Sequence, residues 1–426
     1  MLTLATFFSL LYLMQLSKTR SSKTLVLILI SAATIFFLFN AYKRGMKADA
    51  NGDYHIYWQT GKHFISGHTL YTPGLLDGGF TYPPFAAMFF SLFSWMPFHT
   101  SAFVYSFLVN YGLWIISLLL VKRIFNRLYL QREITLPFTL AILLSAGFYW
   151  HNYMWMNANL PVLCFTLLGI ECYLKKNFTA SYLFFLAGTF FKITPALFLV
   201  FAAIKRGPKD WPKIILLTLP FIVVPMLLRG LPTGLHDWQE YYAAFVAPFS
   251  KGQVDQNIIS LGIPALLDKL NTGNATLGYP PILHLNAHSL KLLTLTIQLL
   301  VLGTLTSKFV YDRYKLGKEE FSAADFCLIF LITLLLPGRV WGHHHVCTSF
   351  IYTYLFILIR DKKVLLGITV LLCLLTEFTV KDVIGQTLTD LLREYCYITL
   401  VMVFVSAVIV WFRCKAGKQH RFITSV

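Results

Sequence analysis

Residues whose side chains could do chemistry are few in this chain and come in short, separated tracts. The first is "GDYHIYWQTGKHFISGHTLY" (52–71), where a lone acid, Asp53, sits among aromatics, with "FTYPPF" following at 80–85. A carboxylate held near a membrane surface can take a proton from a hydroxyl and so act as a general base. Capping a short helix over 54–66 is the plainer role for the same residue. Tyr57, Trp58, Tyr71 and Tyr82 could stack on a sugar ring, or equally form an aromatic belt at the membrane interface. The prolines after Tyr82 fix the backbone and restrain the residue before them, which marks a rigid start to the next helix.

"RVWGHHHV" (339–346) joins Arg339 to three consecutive histidines, His343, His344 and His345. Neighbouring residues on a helix point about 100° apart, so three adjacent histidines cannot all face one metal ion. The i, i+4 pair of a zinc-binding helix is also missing. Contacts to a phosphate are the favoured chemistry, and capping of helix ends is the bland alternative. Lys192 in "FFKITPAL" interrupts an apolar run, where a lysine either holds an anion or snorkels at a helix break. Side-chain amides suit sugar hydroxyls, and they occur in "QVDQNIISL" (Asp255, Gln256, Asn257) and "MNANLPV" (Asn157, Asn159). Helix capping would explain these residues too. The chain contains no Walker loop, GxGxxG fingerprint or HExxH, which argues against a nucleotide-driven enzyme and a zincin protease.

The elements that must position these tracts are membrane helices. Hydrophobic residues make up 57% of the chain and charged residues 13%, with a mean hydropathy of +0.63; soluble domains carry roughly 25% charged residues. Backbone groups in lipid must be paired internally, and continuous rather than alternating apolar runs select helices over a barrel. Apolar segments fall at 24–41, 100–121, 135–150, 160–174, 178–191, 195–204, 214–230, 289–310, 324–341, 344–359, 364–380 and 395–412. The proline-led stretch 83–98 is expected to be interfacial or half-buried, and 178–204 a hairpin broken at "KITP". Residues 1–16 lack a basic start and a cleavage site and read as a short membrane helix. The seven cysteines form no CxxC pair and lie mostly in apolar runs, so they read as core residues.

The formal net charge of +17 is arranged as membrane topology requires rather than as a nucleic-acid footprint. Loops at 17–23, 122–134, 175–177, 205–213, 308–319, 360–363 and 413–426 hold 24 of the 36 Lys and Arg, which marks them as cytoplasmic. Every polar tract named above then emerges on the opposite, extracytoplasmic face, and one shared face implies one shared site. The chain reads as a single integral membrane domain over 1–426. It has a first extracytoplasmic loop at about 42–99, a long one at about 231–288 and a cytoplasmic tail at about 413–426.

Taken in order, "GDYHIYW", "FTYPPFAAMFF", "NANLPVLCF", "FFKITPALFL", "QNIISL" and "RVWGHHHV" resemble glycosyltransferase family 87, from about residue 45 to about residue 360. These are polyprenol-phosphate-mannose-dependent mannosyltransferases of the GT-C superfamily. The resemblance implies an all-α polytopic fold, a GT-C-type bundle of about 12–13 transmembrane helices with its site on the extracytoplasmic side. It implies Asp53 as the base, and a polyprenyl-phosphate sugar, mannose, as donor. Trp341, His343 and His344 match the family's Trp-x-His-His tract, which would contact the donor phosphate. In this chain Val340 and Gly342 stand where the family often has serine and aspartate, and Asp255-Gln256-Asn257-Ile258 stands for its Gly-Asn-Gln-Ser tract.

The expected function is therefore transfer of a sugar to an extracytoplasmic glycolipid or glycan hydroxyl, in a bacterial inner membrane. Lys192, Arg339, His343 and His344 are the candidates to stabilise the departing phosphate. Tyr57, Tyr82, Asn159, Gln256, Asn257 and Trp341 are the candidates to hold sugar or acceptor. The leaving group is anionic already, so one carboxylate suffices, and a single displacement inverts the anomeric centre, unlike the two-carboxylate retaining arrangement. No cofactor, metal or nucleic-acid partner is expected. The rival reading is a polytopic transporter or lipid flippase, which would show polar groups at span centres and an internal repeat.

Overall fold

In the computed structural model residues 20–48, 52–72, 79–250, 252–377 and 381–423 are described; the short helix expected over 1–16 lies outside them. The described chain is helical throughout, with only isolated β-bridges, as the continuous apolar runs require. The helices in order are α1 (Arg20–Met46), α2 (Asp53–Ser66), α3 (Pro84–Ser94), α4 (Phe98–Leu128), α5 (Gln131–Leu143) and α6 (Ala146–Trp155). Next come α7 (Asn159–Leu174), α8 (Phe178–Phe191), α9 (Ala196–Arg206), α10 (Trp211–Arg229), α11 (Leu231–Tyr241) and α12 (Ile263–Thr272). The remainder are α13 (Ala287–Tyr314), α14 (Ala323–Leu335), α15 (Thr348–Ile359), α16 (Lys363–Glu377), α17 (Gln386–Glu394) and α18 (Tyr397–Ile423).

Among the described residues, α4, α13 and the stretches Pro208–Arg229 and Tyr397–Cys414 are each long and apolar enough to cross a bilayer. A fifth span results if Glu133–Leu143 and Ala146–Trp155, bent by 45°, are taken together. Other apolar helices, including α3, α7, α8 and α14, are shorter. The all-α membrane architecture is thus what the composition demands.

Local chemistry explains where the helices stop. Lys192 leaves the helical region (φ −154°, ψ 131°) and Pro195 precedes α9, so the 178–204 hairpin breaks at "KITP". The span expected over 324–341 ends at Leu335, because Pro337 offers no N–H and Gly338 favours a turn. A 3₁₀ turn over Gly342–Cys347 then leads into α15. The tract at 52–71 contains the short helix offered over 54–66: Tyr54, Tyr57, Gly61 and Phe64 recur at helical spacing and belong to the buried stripe of α2. Beyond 413 the tail continues as helix to Ile423.

Two compact units form, Met1–Ile124 with Tyr149–Lys251, and Phe125–Phe148 with Gly252–Val426. In the first, α2 lies against α3 and α7 pairs with α8. Gly61 permits the α2–α3 approach: a Cβ there would meet Ser94 Oγ at 2.1 Å and the Phe90 backbone at 2.7 Å. Around this contact sits an aromatic core of Tyr54, Tyr57, Tyr71, Phe80, Tyr82, Phe90, Tyr105, Phe191 and Tyr241. In the second unit α5 packs on α15 and α14 on α18. There the extended segment before α12 pairs with the stretch after α14 through the Leu261–Val340 bridge.

Candidate active site

In the first unit, Asp53 is the first residue of α2, following the N-cap Gly52. A carboxylate there is favoured by the positive end of the helix. The Asp53 side chain reaches α6–α7: Oδ2 accepts from Asn157 Nδ2 at 2.8 Å, across 104 positions of chain. Asn157 Oδ1 in turn accepts from the Ala158 backbone and from Asn159 Nδ2, both at 2.8 Å. Asn159 Oδ1 accepts from Lys192 Nζ at 2.7 Å. A continuous string of hydrogen bonds therefore runs from the carboxylate to the lysine. It places the negative group and the cation at opposite ends of two amides.

Each link is set by a local device. The turn after α6 is closed by Met156 in the left-handed region (φ 48°), with its side chain buried in the aromatic core. That conformation costs an L-residue about 1–2 kcal/mol, and here it aims Asn157 at Asp53. Asn159 opens α7, while Lys192 lies at the C-terminal end of α8, where a cation complements the helix dipole. Tyr82 lies beside the lysine, its ring centroid 5.6 Å from Nζ, and its hydroxyl is 3.0 Å from that of Tyr57. Burial pushes the Tyr57 phenol well above its ordinary pKa, and nearby Tyr82 and Asp53 add to the effect. Tyr57 therefore stays neutral and keeps its proton for hydrogen bonding.

A residue outside the sequence candidates fixes α2 from its other end. Arg229, its side chain 1% exposed, forms a bidentate pair with Asp237 through Nε (2.9 Å) and Nη2 (3.1 Å). Its remaining donors reach the carbonyls of His63 (2.6 Å), Phe64 (3.1 Å) and His68 (2.7 Å). The last turn of α2 exposes carbonyls that need such partners. An arginine closing an apolar helix just before "GLP" was the available signal.

The second unit holds the other tract. Asp255 N donates to Gly338 O at 2.9 Å, and Trp341 Nε1 donates to Asp255 Oδ2 at 2.7 Å. The Arg339 guanidinium lies 3.7 Å from the same carboxylate and 4.9 Å from the Trp341 ring centroid. Gln256 and Asn257 are exposed, and Asn257 Oδ1 accepts from Ile259 N, a local turn rather than a helix cap. Lys269, buried on α12, pins this segment by donating to the carbonyls of Ile258, Ser260 and Arg393 at 2.7–3.0 Å.

On the 3₁₀ turn the rings of His343 and His344 stack with centroids 4.7 Å apart, while His345 turns away from them. His343 is buried against Trp341, and His345 is buried and stacked on Phe148. His344 is half-buried, its Nδ1 lying 2.9 Å from the Trp341 backbone nitrogen and 3.2 Å from the Trp341 carbonyl oxygen. Among the described residues no group of three His, Cys, Asp or Glu side chains gathers as a metal centre would need. The structure thus joins Asp53, Asn159, Lys192, Tyr57 and Tyr82 in one unit, and Arg339, Trp341, His343 and His344 in the other. Gln256 and Asn257 border the second group, and the Asn257 backbone N–H donates to Asp255 Oδ1 at 3.2 Å.

Neither a curated protein nor a solved structure matches this chain. A family model does: it covers residues 80–341, more than half of the sequence, including Asn157, Asn159, Lys192, Arg339 and Trp341, with Asp53 upstream and His343 and His344 just beyond. The membrane helices and this match agree, and the chain belongs to glycosyltransferase family 87.

Proposed function

We propose that this glycosyltransferase takes mannose from a polyprenyl-phosphate donor. It passes the sugar, with inversion, to a hydroxyl of an extracytoplasmic glycolipid or glycan in a bacterial inner membrane. The observation that carries the reading is the hydrogen-bonded string Asp53–Asn157–Asn159–Lys192. It supplies an oriented carboxylate linked to a cation through two neutral amides.

In the proposed reaction the acceptor oxygen attacks the anomeric carbon as its proton passes to Asp53. The bond from that carbon to the phosphate oxygen breaks, and its electron pair leaves with the polyprenyl phosphate. Lys192, Arg339, His343 and His344 offset the negative charge that develops there. Tyr57, Tyr82, Asn159, Gln256, Asn257 and Trp341 orient the sugar and the acceptor. Because the leaving phosphate needs no proton, this scheme uses one carboxylate, and no cofactor takes part.

The test is incubation of the purified protein with labelled polyprenyl-phosphate mannose, or nucleotide-linked mannose, and a panel of glycolipid acceptors. Transfer from the lipid-linked donor alone, with an inverted anomeric centre, is the expected result. Transfer only from the nucleotide sugar would overturn the donor assignment. Movement of the lipid donor across vesicles without transfer would instead support the transporter or flippase reading.

A further inference from the structure

Within the second unit a groove of about 770 Å³ runs between α16 and α18. Val364, Ile368, Phe404 and Trp411 line it, and Lys362 and Lys363 stand at one end. Its apolar wall is open: Val364 is 78% exposed, Trp411 70% and Ile368 48%. A patch of this kind on a polytopic protein faces acyl chains rather than water. Both lysines are exposed, and among the described residues neither has a carboxylate partner. The adjacent acid, Asp361, is exposed and lies 3.6 Å from Arg360, which also pairs with Glu133 at 3.3 Å. The same short loop, 360–363, belongs to the lysine-rich set that the charge distribution assigns to the cytoplasmic side.

From this we infer that the groove is a binding site for an acidic phospholipid of the cytoplasmic leaflet. Its acyl chain would lie along Val364, Ile368 and Phe404, and its phosphate between Lys362 and Lys363. Charge complementarity selects the occupant. A zwitterionic lipid fills the apolar wall equally well but gains little from two unneutralised ammonium groups, and a free phosphate has no use for the wall. Trp411 lies along the groove, where an indole with one polar edge suits the headgroup boundary. The site is separate from the residues assigned to sugar transfer and does not depend on that assignment.

The test is fluorescence quenching of Trp411 in vesicles that contain either brominated phosphatidylglycerol or brominated phosphatidylcholine, with Trp411→Phe protein defining the background. Each lysine near an anionic surface contributes about a fivefold preference. Half-maximal quenching by the acidic lipid is therefore expected at a mole fraction at least tenfold lower than for phosphatidylcholine. Lys362→Gln and Lys363→Gln should each cost about fivefold, and the double variant should bring the ratio close to one. High salt should weaken the preference in the wild type. Both lysines are exposed, so an unchanged thermal transition will show that the double variant is folded. Equal quenching by the two lipids, or a preference that survives the double substitution, overturns the proposal. Quenching by neither lipid overturns it as well, since the groove would then be covered by protein.

Discussion

Replacing Asn157 with aspartate turns the key hydrogen bond of the proposed site into a clash of like charges. The Asn157 amide nitrogen is 2.8 Å from Asp53 Oδ2, so an aspartate in its place sets two carboxylates against each other. Unit charges about 4 Å apart interact by about 4 kcal/mol at an effective dielectric of about 20. Asp53 is only half-buried, and discounting by half for solvent screening leaves about 2 kcal/mol. At 1.36 kcal/mol per unit this raises the shared titration by roughly 1.5 pH units. A base must be ionised to accept a proton. Activity is therefore lost as pH falls through the raised value, and the acid limb of the pH profile of kcat/KM moves upward. Asn157→Ala removes a bond to a charged group, worth about 1.5–3 kcal/mol. It should lower kcat/KM about ten- to hundredfold and, because the lost bond favoured the ionised carboxylate, move the limb in the same direction but less far than Asn157→Asp does. The assay is labelled sugar transfer between about pH 4.5 and 9. An unmoved acid limb in Asn157→Asp, with turnover close to wild type, would refute the reasoning.

Three further outcomes follow from the geometry. Arg229→Ala strands the buried Asp237 carboxylate and releases the end of α2; a loss of about 3–5 kcal/mol in stability is expected. Thermal unfolding should show this, and Arg229→Met/Asp237→Leu should be less damaged than the single variant. Gly61→Ala drives a methyl into Ser94 Oγ and the Phe90 backbone, so unfolding should come earlier by about 1–3 kcal/mol; a transition equal to wild type would contradict the packing described. Trp341→Phe keeps a ring but loses the bond to Asp255. The donor KM should rise at least fivefold while kcat stays within twofold, and an unchanged KM would separate this tract from the donor.

Much of the scaffold is legible in the chain because its signals are local. Long apolar runs, "KITP" and "YPPF" each carry their own reason to be helix, break or start. Where the reading slipped, averaging over a window was the cause. The run "LLLPGRVW" is apolar enough to pass as one span, yet a single proline stops the helix at Leu335. Tract 52–71 reads as a polar loop with a short helix over 54–66 only as its plainer alternative, because Asp, His, Gln and Lys lower its hydropathy. The 54/57/61/64 stripe that makes it a helix is visible only by spacing.

The site was legible as a set of residue types but not as a set of pairs. Nothing near Asp53 in the sequence points to Asn157, and "MNANLPV" reads equally well as a helix start. The pairing depends on a methionine in the left-handed conformation, which is rare outside glycine, asparagine and aspartate and so cannot be read from residue type. Arg229 is a similar case. Its value lies in carbonyls 161–166 positions away, whereas its immediate neighbours only mark the end of an apolar helix. Helical geometry separates His345, which stacks on Phe148, but gives no hint that the rings of His343 and His344 stack on each other.

The measurement that bears most directly on the central claim is single-turnover transfer by Asp53→Asn protein, alongside its affinity for polyprenyl-phosphate mannose. The amide keeps the size and the site of the carboxylate but cannot take a proton. Donor affinity within about twofold of wild type, with transfer slowed by at least a hundredfold, is the predicted result. Transfer at a rate close to wild type would show that another group accepts the proton and that Asp53 only begins a helix.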